Sequence, residues 1–472
     1  MGRGKKLATD TALFAISSFG SKILTLLLTP LYTSILSTGQ YGIADIITTT
    51  INFIYPILTL AICDATLRFA FDENKSKNGI FSTSLLFVFG STVVLAFFYP
   101  IVNLLSKQLV TYWNVFVITY FLFNMHNCLS NFIKGLGYTK LFAIQGVIHT
   151  FTIVCSNVMF LLMLRWGLNG YLYSIIIGYM TSILYIFFGA KLYKYLYPPK
   201  INKKLLGEML KYSIPMIPTI LAWAVNSYID KYMIIYFCGL SDSGIYSVAQ
   251  KIPSIVTTVT SIFTQAWQLS VIDSHGKDSD SDFFTKVYKA FNLLLVGLVV
   301  AFIPLSKIIS SVLFAKDYYS AWEVVPFLLI STMFSSLAGF MAAEFRATKK
   351  TSGLMKSVMF GAVINILLNL ILIKIVGLMG AAIATAVSFM IVWFIRLIGL
   401  QKLITIKLDI IATVITYAVI FLISLWYCLG FPLFIIIYIG MLIILILVNY
   451  RDIVFLFTLI RVTIINKLRH RN

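Results

Sequence analysis

Apolar runs long enough to cross a bilayer recur along this chain from Ala12 to Ile465, with no polar domain between them. Crossing about 30 Å of hydrocarbon takes about 20 helical residues, because a helix is the way one segment satisfies its own backbone away from water. The fold class that follows is an all-α integral membrane protein. Composition agrees: 60% of residues are hydrophobic and 11% charged, where a soluble domain carries roughly 25% charged residues.

Dividing the chain wherever charge, Gly, Pro or Asn clusters interrupt these runs gives about fourteen transmembrane helices. The first six lie near 9–36, 41–69, 79–105, 112–133, 141–165 and 168–192. Six more lie near 209–237, 244–271, 283–314, 322–345, 354–376 and 381–403, and the last two near 409–429 and 431–448. Basic residues set the orientation, since cytoplasmic loops retain Lys and Arg. With the N-terminus inside, about 29 of the 37 Lys and Arg fall at cytoplasmic ends, about five outside (Lys107, Arg165, Lys307, Lys316, Lys374) and about three within spans. An even number of spans then puts both termini in the cytoplasm. Arg3, Lys5 and Lys6 precede a first run that reaches Leu36 without a cleavage site, so that run is expected to stay attached. The segment 453–465 is broken by Arg461 and is expected to be an interfacial helix.

The net charge of +20 does not point to nucleic acid, because the basic residues sit at span ends and not on a folded soluble face. Cys63, Cys128, Cys155, Cys238 and Cys428 lie in or beside apolar segments without metal-site or disulfide spacing, and read as buried small apolar residues.

The halves repeat. Setting Lys134 against Arg346 aligns Asn157 with Asn369, and brings Gly167-Leu168-Asn169-Gly170 close to Gly377-Leu378-Met379-Gly380. The turn Ser37-Thr38-Gly39-Gln40-Tyr41-Gly42-Ile43 likewise resembles Ser241-Asp242-Ser243-Gly244-Ile245. An offset of about 200 residues contains six spans, an even number, so the expected architecture is two parallel six-helix lobes related by an axis along the membrane normal. The expected boundaries are an N-lobe at 1–200, a C-lobe at 201–403, and two C-terminal helices with a basic tail at 404–472.

On the Ser37–Ile43 turn, Asp230-Lys231-Tyr232, Gly244-Ile245-Tyr246-Ser247 and Lys134-Gly135-Leu136-Gly137, the chain resembles the multidrug/oligosaccharidyl-lipid/polysaccharide exporter superfamily, and within it the polysaccharide (Wzx-type) flippases. The resemblance implies alternating access between the two lobes. The implied cargo is a polyprenyl-diphosphate-linked oligosaccharide, carried to the outer leaflet of a bacterial inner membrane for capsule, O-antigen or exopolysaccharide synthesis. In related lipid flippases the last two helices form a groove for the lipid tail. The implied partners are this cargo, membrane lipids, and the polysaccharide polymerase and export machinery.

No bond needs breaking, so no catalytic residue is expected; the task is to move a charged diphosphate and polar sugars through hydrocarbon. Lys22, Lys231 and Lys251 are placed within spans, where a charge facing lipid costs about 2.5–3.5 kcal/mol. They are therefore expected to meet water, a partner or the diphosphate, with Arg68 as a further phosphate contact at the inward mouth. The alternative to that expectation is structural, with Asp230 pairing with a lysine across the lobes and Lys251 snorkelling. Asp45 and Asp230 are carboxylates inside spans that serve either as a proton or sodium site or as counter-ions; for Asp230 the counter-ion reading is favoured. Asp64 and Arg68, four apart, read as a surface pair. Asn226 and Gln250 are expected sugar contacts, and Trp223 and Trp267 stacking platforms, against the alternatives of interhelical bonding and interface anchoring. His126 and His149 read as packing residues. Asp280 and Asp282 form an Asp-x-Asp in a solvated loop, so no metal site is expected. With no Gly-x-x-x-x-Gly-Lys-Ser/Thr loop and no cofactor expected, energy must come from a proton or sodium gradient, the membrane potential or the cargo gradient.

Two rivals stay open. A multidrug exporter of the same superfamily would attract cations with carboxylates and aromatics. A membrane glycosyltransferase or polysaccharide polymerase would need positioned acids, whereas the outside loops offer only Asp317 and Glu323. The sugar, the coupling ion and the oligomeric state are not legible.

Overall fold

The structure, a computed structural model, describes residues 20, 22–105, 110–196, 203–274, 281–348, 352–402, 404, 408–430 and 432–454. The first half of the first expected span, the loop residues 275–280 and the expected interfacial helix beyond 454 lie outside the described residues. Among the described residues all regular structure is helical. Eight helices among them combine the length and apolarity needed to cross a membrane. The chain divides into two compact units, Met1–Ser247 and Val248–Asn472.

The first unit contains α1 (Lys22–Ile35), α2 (Thr38–Leu58), α3 (Ile62–Ala70), α4 (Lys77–Phe97), α5 (Tyr99–Leu105), α6 (Trp113–Gly135), α7 (Thr139–Asn157), α8 (Gly167–Gly189), α9 (Lys203–Ser213) and α10 (Ile217–Phe237). A helix α11 (Leu240–Ala249) carries the boundary. The core of this unit gathers side chains from five helices, among them Cys63, Phe81, Cys128, Ile186 and Met209, all fully buried. Of the cysteines, Cys63 and Cys128 are core residues as expected, but Cys155 is exposed, which suits a thiol facing lipid.

Several expected spans are built from two pieces. The span expected at 41–69 is α2 and α3 with a break between them, and that expected at 209–237 is α9 and α10 separated by a 3₁₀ turn at Ile214–Met216. Pro215 and Pro218 cause the second break, since neither can donate a backbone hydrogen bond to the preceding turn. α9 is thereby freed to lie as an amphipathic helix, with Leu205 and Met209 buried and Lys203, Lys204 and Lys211 exposed; Lys75 and Glu208 form an ion pair that ties it to the loop before α4.

The second unit contains α12 (Lys251–Ser274), α13 (Ser281–Leu313), α14 (Val325–Ala347), α15 (Ser352–Gln401), α16 (Ile410–Cys428) and α17 (Phe434–Val448). α14 is its centre, being 83% buried across its apolar window. α15 is no single rod: Gly377, with φ +59 and ψ −135, breaks it, and Ser388 Oγ donates to the Gly361 carbonyl at 2.8 Å while Asn365 Nδ2 reaches Thr385 Oγ1 at 3.5 Å. Residues 20 and 27 apart in sequence meet, so the two limbs run antiparallel. In the first unit α7 and α8 make the same hairpin: Gly167 has φ +53, and Ser182 Oγ donates to Gln145 Oε1 at 2.6 Å across 37 residues. The two glycines aligned by the sequence repeat thus both stand at the hairpin turn with positive φ, which a Cβ disfavours. Replacing Gly377 by Val is expected to destabilise the protein by about 1–3 kcal/mol, measurable as a lowered midpoint of thermal unfolding in detergent.

Arg396 lies inside the span expected at 381–403, a basic residue in a span beyond Lys22, Lys231 and Lys251. It is 2% exposed and donates from Nε to Ser357 Oγ (3.0 Å) and from Nη1 to the Ala338 carbonyl (2.7 Å). It bonds both limbs of α15 and α14 together. The signal was present in Trp393-Phe394-Ile395-Arg396-Leu397, where one charge interrupts an apolar run.

Candidate functional site

The site grows from the turn between α1 and α2. Ser37 Oγ accepts the Gln40 N–H at 3.3 Å and Gln40 Oε1 accepts the Ser37 N–H at 3.0 Å, a reciprocal cap that fixes where α2 begins. Four residues into that sequence, Gly42 abuts α11: a Cβ there would lie 2.2 Å from the Leu240 carbonyl oxygen. The relation is mutual, since a Cβ on Gly244 would lie 2.1 Å from the Thr38 carbonyl oxygen. The two turns matched in the sequence repeat therefore press against each other, backbone on backbone, and only glycine permits that approach.

One turn below this contact lies Asp45. Its Oδ2 accepts from Lys231 Nζ at 2.7 Å, from Ser247 Oγ at 2.7 Å and from Thr49 Oγ1 at 3.4 Å. The side chains of Lys231 and Asp45 are 7% and 18% exposed. Charge-assisted bonds in so dry a place are stronger than their surface counterparts. Ser247 stands 202 residues from Asp45, the spacing that also separates Gly42 and Gly244, so a residue and its repeat equivalent touch. Alongside, Thr50 Oγ1 and the Tyr232 hydroxyl are 2.9 Å apart. Asp230 is 1% exposed and its Oδ2 accepts from the Tyr246 hydroxyl at 3.0 Å. Sequence neighbours on a helix point about 100° apart, which is why Asp230 does not serve Lys231 and a carboxylate from α2 does.

The remaining expected site residues are scattered. Lys22 is exposed near the start of α1, and Arg68 is exposed on α3. Asn226 is fully buried, its Nδ2 donating to the Ala222 carbonyl at 3.1 Å, and Trp223 is half-buried on the same helix. In the second unit Lys251 is half-buried at the start of α12, and Gln250, also half-buried, stands at the break between α11 and α12. Trp267 stacks on Phe340 with ring centroids 4.6 Å apart inside an aromatic core that also holds Phe284 and Phe291. His126 and His149 stack on each other at 5.3 Å, with Gln145 bonded to His126 at 2.8 Å. Among the described residues no group of three or more His, Cys, Asp or Glu could hold a metal ion.

One further feature lies at the first of the two C-terminal helices, for which the family resemblance implied a groove. In the second unit α14, the second limb of α15 and α16 enclose a groove of about 810 Å³. Its walls include Met333, Val387, Met390, Leu397, Val414 and Phe421. They are almost wholly apolar.

Comparison with known proteins agrees with this geometry. Residues 7–268 match the family model described as polysaccharide biosynthesis protein, more than half of the chain. An uncharacterized membrane protein of Methanocaldococcus jannaschii is 23% identical over 297 residues, which cover 60% of this chain and 58% of that protein. The chain thus spans about three-fifths of that curated relative. Among solved structures, the lipid II flippase MurJ in an inward closed conformation superposes with a TM-score of 0.68 at 16% identity, covering 94% of this chain and all of that one (100%). An inward-facing multidrug resistance transporter gives 0.65 at 13% identity, covering 82% of this chain and 98% of that one. A transporter from Pyrococcus furiosus, whose binding pocket is described as of reversed polarity, gives 0.62 at 12% identity, with 83% and 95% covered. These likenesses establish a fold shared with transporters, and the matched family model places the chain in the polysaccharide biosynthesis protein family.

Proposed function

We propose that the protein flips a polyprenyl-diphosphate-linked oligosaccharide from the inner to the outer leaflet of a bacterial inner membrane. The observation that carries the reading is the apolar groove at α16, one of the two helices that lie outside the repeat. A lipid tail needs such a lipid-like wall beside the sugar path; a soluble drug does not. Membership of a polysaccharide biosynthesis family and the shared fold with a lipid flippase support it. In this reading Lys22 supplies phosphate attraction in the first unit and Lys251 in the second, while Lys231 holds Asp45 and the turns above it. The basic bias of these positions, with Lys231 buried, Lys251 half-buried and Lys22 exposed, suits an anionic cargo. Partners in this reading are membrane lipids and the polymerase and export machinery that would use the flipped unit.

A multidrug exporter is the second reading, favoured by the shared fold with multidrug transporters. The experiment that separates them uses purified protein in vesicles, following a fluorescent polyprenyl diphosphate oligosaccharide and, separately, a cationic dye. Movement of the lipid and not the dye supports the flippase; the reverse replaces it with the exporter. Val387→Trp, which fills the groove, is expected to slow a long-chain probe at least about tenfold, a barrier change of about 1.4 kcal/mol, and to leave a short-chain analogue unaffected.

A further inference from the structure

The span expected at 41–69 breaks where its sequence has no glycine: Leu60 and Ala61 both have φ of +51. Residues with a Cβ pay about 1–3 kcal/mol for such a conformation, and strain of this kind gathers at working sites. α2 stops at Leu58 and α3 starts at Ile62, and Ala61 itself is fully buried. Asp64 stands in the first turn of α3. Its Oδ2 is buried, and no described residue gives it a hydrogen bond. The surface pair expected with Arg68 does not form: Arg68 is exposed, and the ion pairs among the described residues leave Asp64 out.

Asp64 as a whole is half-buried, and keeping its buried oxygen anionic with no donor costs more than burying the neutral acid, which favours the protonated form. No ion pair among the described residues supplies a cation in place of the proton. The titratable groups within electrostatic reach are Tyr55 of α2 and Cys63 of α3, which in turn interact with Tyr228 of α10 and Cys128 of α6. Of the charged groups on the packed helices, Lys77 of α4 caps the Ala70 and Asp72 carbonyls, Glu208 of α9 pairs with Lys75, Lys134 of α6 lies over the Phe142 ring, and Lys203, Lys204 and Lys211 of α9 are exposed.

We propose that Asp64 is a proton-binding site of the transport cycle. The carboxyl carries a proton in the conformation described, and movement about the Leu60–Ala61 break admits water that takes the proton, leaving the carboxylate. The proposal rests on the reading of the chain as a transporter, not on the identity of its cargo.

The test has one arm that needs no cargo. In nanodiscs at neutral pH, the infrared carbonyl stretch of a protonated carboxylic acid should be present in the wild type and missing from Asp64→Asn, whose thermal unfolding checks that it remains folded. In vesicles carrying the fluorescent polyprenyl diphosphate probe, the wild-type rate should respond to an imposed pH gradient, and Asp64→Asn should lose that response. An infrared band absent from the wild type or unchanged in Asp64→Asn overturns the proposal. So does a wild-type rate that follows a sodium gradient and ignores pH, or a variant that keeps the wild-type response. If the wild type moves no lipid probe at all, the flippase reading fails and the infrared arm alone decides Asp64.

Discussion

Asp45→Ala, with Lys231 left in place, is expected to destabilise the protein by about 3–5 kcal/mol, the cost of a buried charge that has lost its partner. Lys231 reaches no other carboxylate as an ion pair among the described residues, and its 7% exposed side chain has little water to turn to. Loss of helical signal on heating in detergent would report this. The double variant Asp45→Asn/Lys231→Met separates folding from transport. Replacing both charges by groups of similar volume is often neutral or stabilising, so its unfolding midpoint should return to near the wild-type value. Flipping should nonetheless stay at least about tenfold slower, about 1.4 kcal/mol in the barrier, if the pair latches the turns above it during the cycle. A double variant that is both stable and fully active would reduce the pair to a packing device.

The sequence revealed what depends on local chemistry. Long apolar runs predicted membrane helices, and the Gly167 and Gly377 matches marked two turns whose glycines both have positive φ. The Ser37–Ile43 and Ser241–Ile245 resemblance located both halves of the Gly42–Gly244 contact. That the two turns meet each other was not legible, because a repeat reports equivalence and not proximity. The same limit hid the pairing of Lys231 with Asp45 across 186 residues. Asp230 was the nearer acid in sequence, and helix geometry turned it towards Tyr246. The break at Leu60–Ala61 was signalled only by Pro56 before it, since neither residue of the break favours positive φ. Arg396 is a different case: its charge was visible in an apolar run, while the two helices it bonds could be known only from the fold.

Gly42→Ala and Gly244→Ala should act by geometry alone. Each new methyl would lie 2.2 or 2.1 Å from a carbonyl oxygen of the facing turn, far inside the contact distance of about 3.5 Å between non-bonded heavy atoms. Neither obstacle is a flexible side chain, so the backbones must part. Because Asp45 and Ser247 sit one turn beyond these glycines, parting the turns also pulls on their 2.7 Å hydrogen bond, and both variants should resemble the loss of the latch. Spin labels at Gln40 and Ser241, both exposed, should report a longer separation in either variant than in the wild type. Flipping should fall at least about tenfold, about 1.4 kcal/mol, with both charges of the Asp45–Lys231 pair still present. Unchanged label distances would mean that the two turns already part in the membrane, and that the close approach of Gly42 and Gly244 is not what holds them together.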